Sequence, residues 1–269
     1  MTATAVQTPA RPHATQPNVR LSFGRLLRSE AIKLLTLRST WWSLGVTAVL
    51  AIGMSLLMAW ASQDFAGDFP PVNAIVAPMQ FTMLVAGILG AMAITGEYST
   101  GMIRSTLTAE PRRGAVLLAK AAVLALLLAA TTVVTTIISV IASAPIFGDR
   151  AIDWSDADSS VMPLAFGVLA MATFALLGLG WGFIIRSGAG AIAATVGLLF
   201  VAPIVLSLFT FGGESWSWIV DLAQYLPSSA AQTVTSPGSD DFATGLITLL
   251  AWPAATLLGG WAILRATDA

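Results

Sequence analysis

Few residues of this 269-residue chain can do chemistry. It has no cysteine, so there is no disulfide framework, thiolate metal site or thiol nucleophile. The one histidine, His13, sits in a polar tail, which excludes histidine metal sites and catalytic triads. What remains is 13 basic and 14 acidic residues, groups suited to ion pairing and docking. They make up 10% of the chain, whereas a soluble domain carries about 25%. A net charge of −1 argues against a general nucleic-acid binder, which needs a basic excess over phosphate.

Three groupings of these residues stand out. In Leu21–Arg38 a helical wheel puts Phe23, Leu26, Leu27, Ala31, Leu34, Leu35 and Leu37 on one side, and Arg25, Arg28, Lys33 and Thr36 opposite. A basic amphipathic helix of this kind fits a membrane interface, with its arginines toward anionic headgroups. Ile32 breaks the pattern on the polar side and Glu30 on the apolar side. Glu30 reads as half of a solvated local pair with Lys33, or as a contact to a partner or a neighbouring loop. The second grouping is the stretch 96–120, where Tyr98–Ala109 reads as a short helix stopped by Pro111. With its carboxylate, arginines and apolar patch, that stretch suits docking into a groove on another protein, or an ordinary solvated loop. The third is Met79, Gln80 and Met83, two flexible thioethers beside an amide, which fit an uncharged cavity for a lipophilic or amphiphilic ligand, or plain packing.

The elements that hold these groups are legible from the gaps between charges. Six charge-free, mainly apolar windows run over 39–63, 69–96, 121–148, 159–185, 187–213 and 242–264. A helix needs about 20 residues to cross a bilayer, so each window is long enough. A seventh gap, 222–239, holds two prolines and many Ser, Thr and Gln residues and reads as loop. Ahead of Pro227, the spacing of Trp216, Trp218, Ile219, Leu222 and Tyr225 suggests a short helix, about 215–226, half-sunk in the outer interface. An apolar run ending near Ala59–Ala61 imitates a signal peptide, but it is too long and starts too late, so the first span is expected to stay as an anchor.

With the amino terminus inside, twelve of the thirteen basic residues fall on the cytoplasmic side, leaving only Arg150 outside. Ten acidic residues fall outside, among them Asp64, Asp68 and Glu214, so the faces carry about +8 and −9. Trp41, Trp42 and Trp261 mark the inner interface, and Trp60, Trp216 and Trp218 the outer. None of the six windows contains Asp, Glu, Lys, Arg, His or Cys. Paired-carboxylate and serine–base proteolysis within the membrane are therefore excluded, and an ion-coupled carrier is disfavoured. No phosphate-cradling Gly-x-x-x-x-Gly-Lys-Ser/Thr loop is present, so energy for uphill transport must come from another chain. Gly178 with Gly182, and Gly190 with Ala194, form small-x-x-x-small pairs for close helix contact. In span three, Thr131, Thr132, Thr135, Thr136 and Ser139 are expected to bond back to their own helix. Pro78, Pro163, Pro203 and Pro253 are candidate kink positions.

Two stretches resemble the permeases of type-2 ATP-binding cassette transporters, most of which are exporters. Ser29, Glu30, Lys33 and Arg38 ahead of Trp41 and Trp42 look like that family's connecting helix, which also takes in Arg25 and Arg28. Glu97, Tyr98, Gly101, Arg104, Leu107, Pro111 and Arg112 look like its coupling segment, which contacts the nucleotide-binding subunit. Ser99 stands where such proteins often carry a basic residue. The resemblance implies two permeases and two ATPase subunits per complex, with ATP and Mg on the ATPase and no cofactor on this chain. It also implies a substrate path lined by spans two and five, to which Met79, Gln80, Met83 and Phe200 are assigned, and a membrane-dipped helix before span six.

The expected fold is an all-α polytopic membrane protein with both termini cytoplasmic. A disordered tail, 1–20, precedes a connecting helix, 21–38, and a transmembrane domain, 39–265. Its spans lie at about 41–61, 73–96, 115–143, 161–185, 189–211 and 243–264, with a coupling segment at 97–113. The leading functional reading is a permease without catalysis of its own, exporting a hydrophobic or amphiphilic compound across a bacterial plasma membrane. Eleven Arg against two Lys, with much alanine, fit a GC-rich bacterial genome. Expected partners are an ATP-binding cassette ATPase, a second permease copy and the lipid bilayer, with no nucleic acid. The alternative is a non-transporting membrane scaffold or assembly factor.

Overall fold

A computed structural model describes residues 22–63, 69–213, 216–236 and 238–267. The expected disordered tail and the acidic residues Asp64, Asp68, Glu214 and Asp268 lie outside these. The described residues form helices, and six stretches are long and apolar enough to cross a membrane: Arg38–Ala61, Pro71–Ser99, Arg113–Phe147, Val161–Ile185, Gly188–Gly212 and Phe242–Ala266. The chain is an all-α, multi-pass membrane protein.

Helix α1 (Phe23–Thr36) starts at Ser22, whose hydroxyl accepts from the Arg25 amide, and ends where Leu37 turns extended. The first span is α2 (Arg38–Ala61). The second is split by Pro78 into α3 (Pro71–Val76) and α4 (Met79–Ser99). Gly101, at φ 71°, makes the left-handed turn into α5 (Met102–Ala109). The expected helix from Tyr98 to Ala109 is therefore broken: Tyr98 and Ser99 finish α4, and only the part after Gly101 stands apart. Glu110 is extended, as the residue before Pro111 should be.

The third span, α6 (Arg113–Phe147), is 35 residues long, about 50 Å at 1.5 Å per residue, so it overshoots a bilayer core of about 30 Å. The hydroxyls of Thr131, Thr132 and Thr135 bond back to the carbonyls of Leu127, Leu128 and Thr132, as expected, whereas those of Thr136 and Ser139 make no such bond among the described residues and line a narrow cavity instead. The fourth span is α7 (Val161–Ile185). The fifth begins as α8 (Gly188–Val196), widens into a π-helical turn at Gly197–Val201, and continues as α9 (Ala202–Leu208). The widening has a cause in Pro203, which has no amide hydrogen and whose ring crowds the Leu199 carbonyl; the Ala202 amide bonds to Gly197, five residues back.

The stretch before span six departs from expectation. Helix α10 (Ser217–Leu222) is short and exposed, and a 3-10 turn at Ala223–Tyr225 follows. The segment read as loop then forms α11 (Pro227–Thr235), buried through Ala230, Ala231 and Val234 against α7 and α12 (Phe242–Ala266). Its polar composition misleads, because the hydroxyls are spent on their own turns: Thr233 bonds to Ser229 and Thr235 to Ala231. Pro227 occupies the first helical position, where it starts a helix rather than ending one.

The centre of the bundle is α7, packed against α4, α6, α8, α11 and α12. Its central window is 67% buried, against 11% for the fifth span, which lies at the periphery. Close approach to α4 depends on glycine. A Cβ on Gly178 would stand 1.9 Å from the Gly87 carbonyl oxygen, one on Gly90 2.0 Å from that of Ala175, and one on Gly182 2.4 Å from Ile94. Gly178 and Gly182 thus do what their spacing implied. The other pair is one residue out of register: on α8 the fully buried positions are Ala191 and Thr195, not Gly190 and Ala194.

Candidate functional site

Two glutamates and two lysines meet where α1 lies across the ends of α4 and α6. The Lys120 ammonium, on α6, donates to Glu30 Oε2 at 2.5 Å and to Glu97 Oε1 at 2.8 Å. Lys33 donates to Glu30 Oε1 at 2.7 Å, to Glu97 Oε1 at 3.1 Å and to Thr106 Oγ1 at 3.2 Å. The cluster is formally neutral and ties four helices together: α1, α4, α5 and α6. Lys120, Glu30 and Glu97 are 1%, 0% and 4% exposed, while Lys33, at 25%, is the member that meets solvent.

Each charge is held there by its helix. The face of α1 carrying Leu34 and Glu30 packs on α6, so the residue that spoiled the amphipathic pattern points at the protein. The pair with Lys33 exists, but it is not solvated. Burial pushes the Glu30 carboxyl upward; the ammonium groups of Lys120 and Lys33 outweigh it and hold the group below its ordinary range. For Lys33 burial pulls downward, and Glu30 and Glu97 together hold the ammonium above its ordinary value. Glu97 Oε2 is buried without a hydrogen-bond partner among the described residues, leaving one acceptor of the cluster unsatisfied.

Residues of the expected coupling segment part company around this cluster. Glu97 belongs to the buried network rather than to an exposed loop. Tyr98 is half-buried, with the Arg186 guanidinium 5.3 Å from its ring centre. Arg186, at the left-handed end of α7, also donates to Ile263 O at 3.2 Å and to the Thr267 hydroxyl, so it joins the ends of spans two, four and six. In α5, Ile103 is buried and Leu107 half-buried, while Arg104 is exposed. Past Pro111, Arg112 is exposed and pairs with Glu110 at 3.0 Å. That pair holds the Glu110 carboxyl below its ordinary value, chiefly through the Arg112 side-chain hydrogen bond.

Arg25 and Arg28 on α1, and Arg38 at the start of α2, are exposed and outside the buried cluster. A groove of about 370 Å³ opens between α1 and α5, lined by Arg25, Ser29, Lys33, Met102 and Thr106 among others. Lys33 therefore touches both the buried cluster and this open groove.

Sequence reasoning singled out Glu30, Lys33 and Glu97 but passed over Lys120. The available signal was that Lys120 is one of only two lysines and stands at the edge of a charge-free window.

The residues assigned to a substrate path do not share one surface. Met79 and Met83 are buried at 7% and 2%, Gln80 is half-buried, and Phe200 is exposed in the π-helical turn of the fifth span. Met79 lines a narrow cavity with Thr47, Thr82, Thr135 and Met171, walled by the first four spans.

Compared with known families, residues 26–211 match the model described as "ABC-2 family transporter protein". That match covers more than half of the chain and takes in most of α1, the charge cluster and the first five spans but for Gly212. No curated protein shows significant similarity to the chain.

Proposed function

From the premise that this chain belongs to the ABC-2 family of transporter proteins, we propose that it is the permease subunit of an ATP-driven exporter for a hydrophobic or amphiphilic compound. Its amino terminus, α1 and α5 face the cytoplasm of a bacterial cell, and it works in the plasma membrane beside a second permease copy. ATP and Mg are bound and used by a separate ATPase subunit.

The observation that carries this reading is the join between α5 and the spans. A segment that receives force from a neighbour must be exposed on one side and fastened on the other. Arg104 and Arg112 are exposed, while Ile103 is buried and Thr106 accepts from Lys33, which is in turn bound to Glu30 and Glu97. A displacement of α5 therefore pulls on α1, α4 and α6 together. Coupling can travel through such a packed polar network when the elements it joins have two discrete arrangements. The substrate path is assigned to the faces of spans two and five, where Phe81 and Phe200 are exposed.

The test is reconstitution with the ATPase that co-purifies with the chain. Arg104→Glu, at an exposed position with no ion pair among the described residues, should abolish ATP-driven transport while leaving the melting temperature of the permease unchanged. Undiminished transport would refute the coupling role. Full biological activity with the ATPase's catalytic glutamate disabled would instead favour a scaffold.

A further inference from the structure

At the α1 end of the bundle a second groove, of about 760 Å³, opens between the start of α6 and the end of α12. Its mouth is basic, with Arg112, Arg113 and Arg265 on its rim, and no acidic residue is among its lining. Its depth is apolar, walled by Leu117, Leu118, Leu257 and Leu258. Along α12, Leu257, Trp261 and Arg265 follow at four-residue intervals on one face, so the groove runs about 12 Å from the charged rim toward the membrane interior.

The rim groups differ in what they have left to give. Arg113 is engaged with the last carbonyls of α12, donating to Leu264 O at 2.5 Å and Thr267 O at 3.0 Å. Arg112 is paired with Glu110. Arg265 lies over the Trp261 ring, 4.0 Å from its centre, and joins no ion pair among the described residues. The Trp261 indole N–H has no acceptor among the described residues either. It leans across Gly114, where a Cβ would stand 3.2 Å from the indole nitrogen. A guanidinium and an indole N–H, both with donor capacity to spare, thus sit above an apolar channel.

We propose that this groove holds an anionic phospholipid of the cytoplasmic leaflet, with its phosphate at Arg265 and Trp261 and an acyl chain along Leu257, Leu258 and Leu118. The charge pattern selects this occupant. Basic pockets between spans at the cytoplasmic surface suit anionic headgroups, and Trp favours the interfacial depth at which those headgroups lie. The apolar floor has no use for a soluble phosphate. The proposal shares with the exporter reading only the placement of this end at the cytoplasmic interface.

The experiment uses the permease alone in detergent, without ATPase or nucleotide, and reads bound lipid by native mass spectrometry. Phosphatidylglycerol should be retained over phosphatidylcholine of the same chain length. Arg265→Gln should cut phosphatidylglycerol binding about fivefold, the worth of one basic group beside an anionic headgroup, and leave phosphatidylcholine unchanged. Leu258→Trp should fill the groove and remove both lipids; Arg265 and Leu258 are exposed, so neither change disturbs the core. An unchanged lipid preference in Arg265→Gln would overturn the proposal. So would equal competition by glycerol phosphate, which would mean a site for the free anion. Disulfide-linked dimers of Leu258→Cys, with lipid binding indifferent to Arg265, would assign the groove to a second copy of the chain. Failure of coupling to an ATPase would leave the lipid measurement untouched, and loss of lipid preference would leave the transport test standing.

Discussion

Lys120 Nζ lies 2.8 Å from Glu97 Oε1, with the two side chains 1% and 4% exposed, although the segment between them in sequence carries four other charges. A buried ion pair costs desolvation on both sides, and it repays that only when hydrogen bonds satisfy the rest of each group. Lys120 gains a second acceptor in Glu30, so that two of its three donors are used, while Glu97 leaves one oxygen without a partner. The cluster is better suited to fixing how α1, α4, α5 and α6 sit together than to adding net stability.

Removing one member should therefore harm the protein more than removing a pair. Lys120→Met leaves two carboxylates facing only Lys33 and should cost about 3–5 kcal/mol. The double variant Lys120→Met with Glu30→Gln should recover part of that loss. Denaturation of the purified protein in a two-mutant cycle measures the difference, and strict additivity would show that the two groups do not interact.

The cluster also sets a pH window. Glu30 is held below its ordinary pKa of 4.5, so its contribution is full above that value and disappears as pH falls through the lower folded value. Lys33 is held above its ordinary 10.5, so its contribution is full below that value and disappears as pH rises through the higher folded one. Melting temperature should be flat between these limits and fall on both sides. Glu30→Gln should flatten the acid limb and Lys33→Met the alkaline limb.

The contact between α4 and α7 should not tolerate a methyl group. Gly178→Ala places a carbon against the Gly87 carbonyl and should destabilise by about 1–3 kcal/mol, as overpacking does. Gly53→Ala is the control, because nothing lies within 4 Å of its Cβ. It should be neutral or slightly stabilising in the same melting experiment.

Outside the bundle centre, Trp252 Nε1 donates to Tyr225 O at 2.8 Å and pins the turn before α11 to α12. Trp252→Phe keeps the ring and loses the bond. Amide exchange around 223–226 should accelerate by about fivefold, in line with a net hydrogen-bond contribution of about 1 kcal/mol, while α7 remains protected. Unchanged exchange would mean that the turn is held by packing alone.

Much of this protein was legible in its sequence because a bilayer imposes a one-dimensional rule. Hydrocarbon excludes charge, so the gaps between charged residues mark the spans whatever their neighbours are. The amphipathic face of α1, the stop at Pro111 and the close-packing pair Gly178 and Gly182 were readable for similarly local reasons. Tertiary structure decided the rest. Glu30 looked like half of a solvated pair until α6 brought Lys120 to it. Glu97 looked like a loop residue until α4 proved to run past the charge-free window. Pro227–Thr235 looked like loop because its small polar residues hide the face that packs on α7 and α12. In each case the partner comes from a distant part of the chain, and a charge or a hydroxyl carries no local mark of being buried. The sequence alone determined which segments enter the membrane, and three-dimensional packing decided which charges stay out of water, because hydrophobicity is a property of a segment and pairing a property of a place.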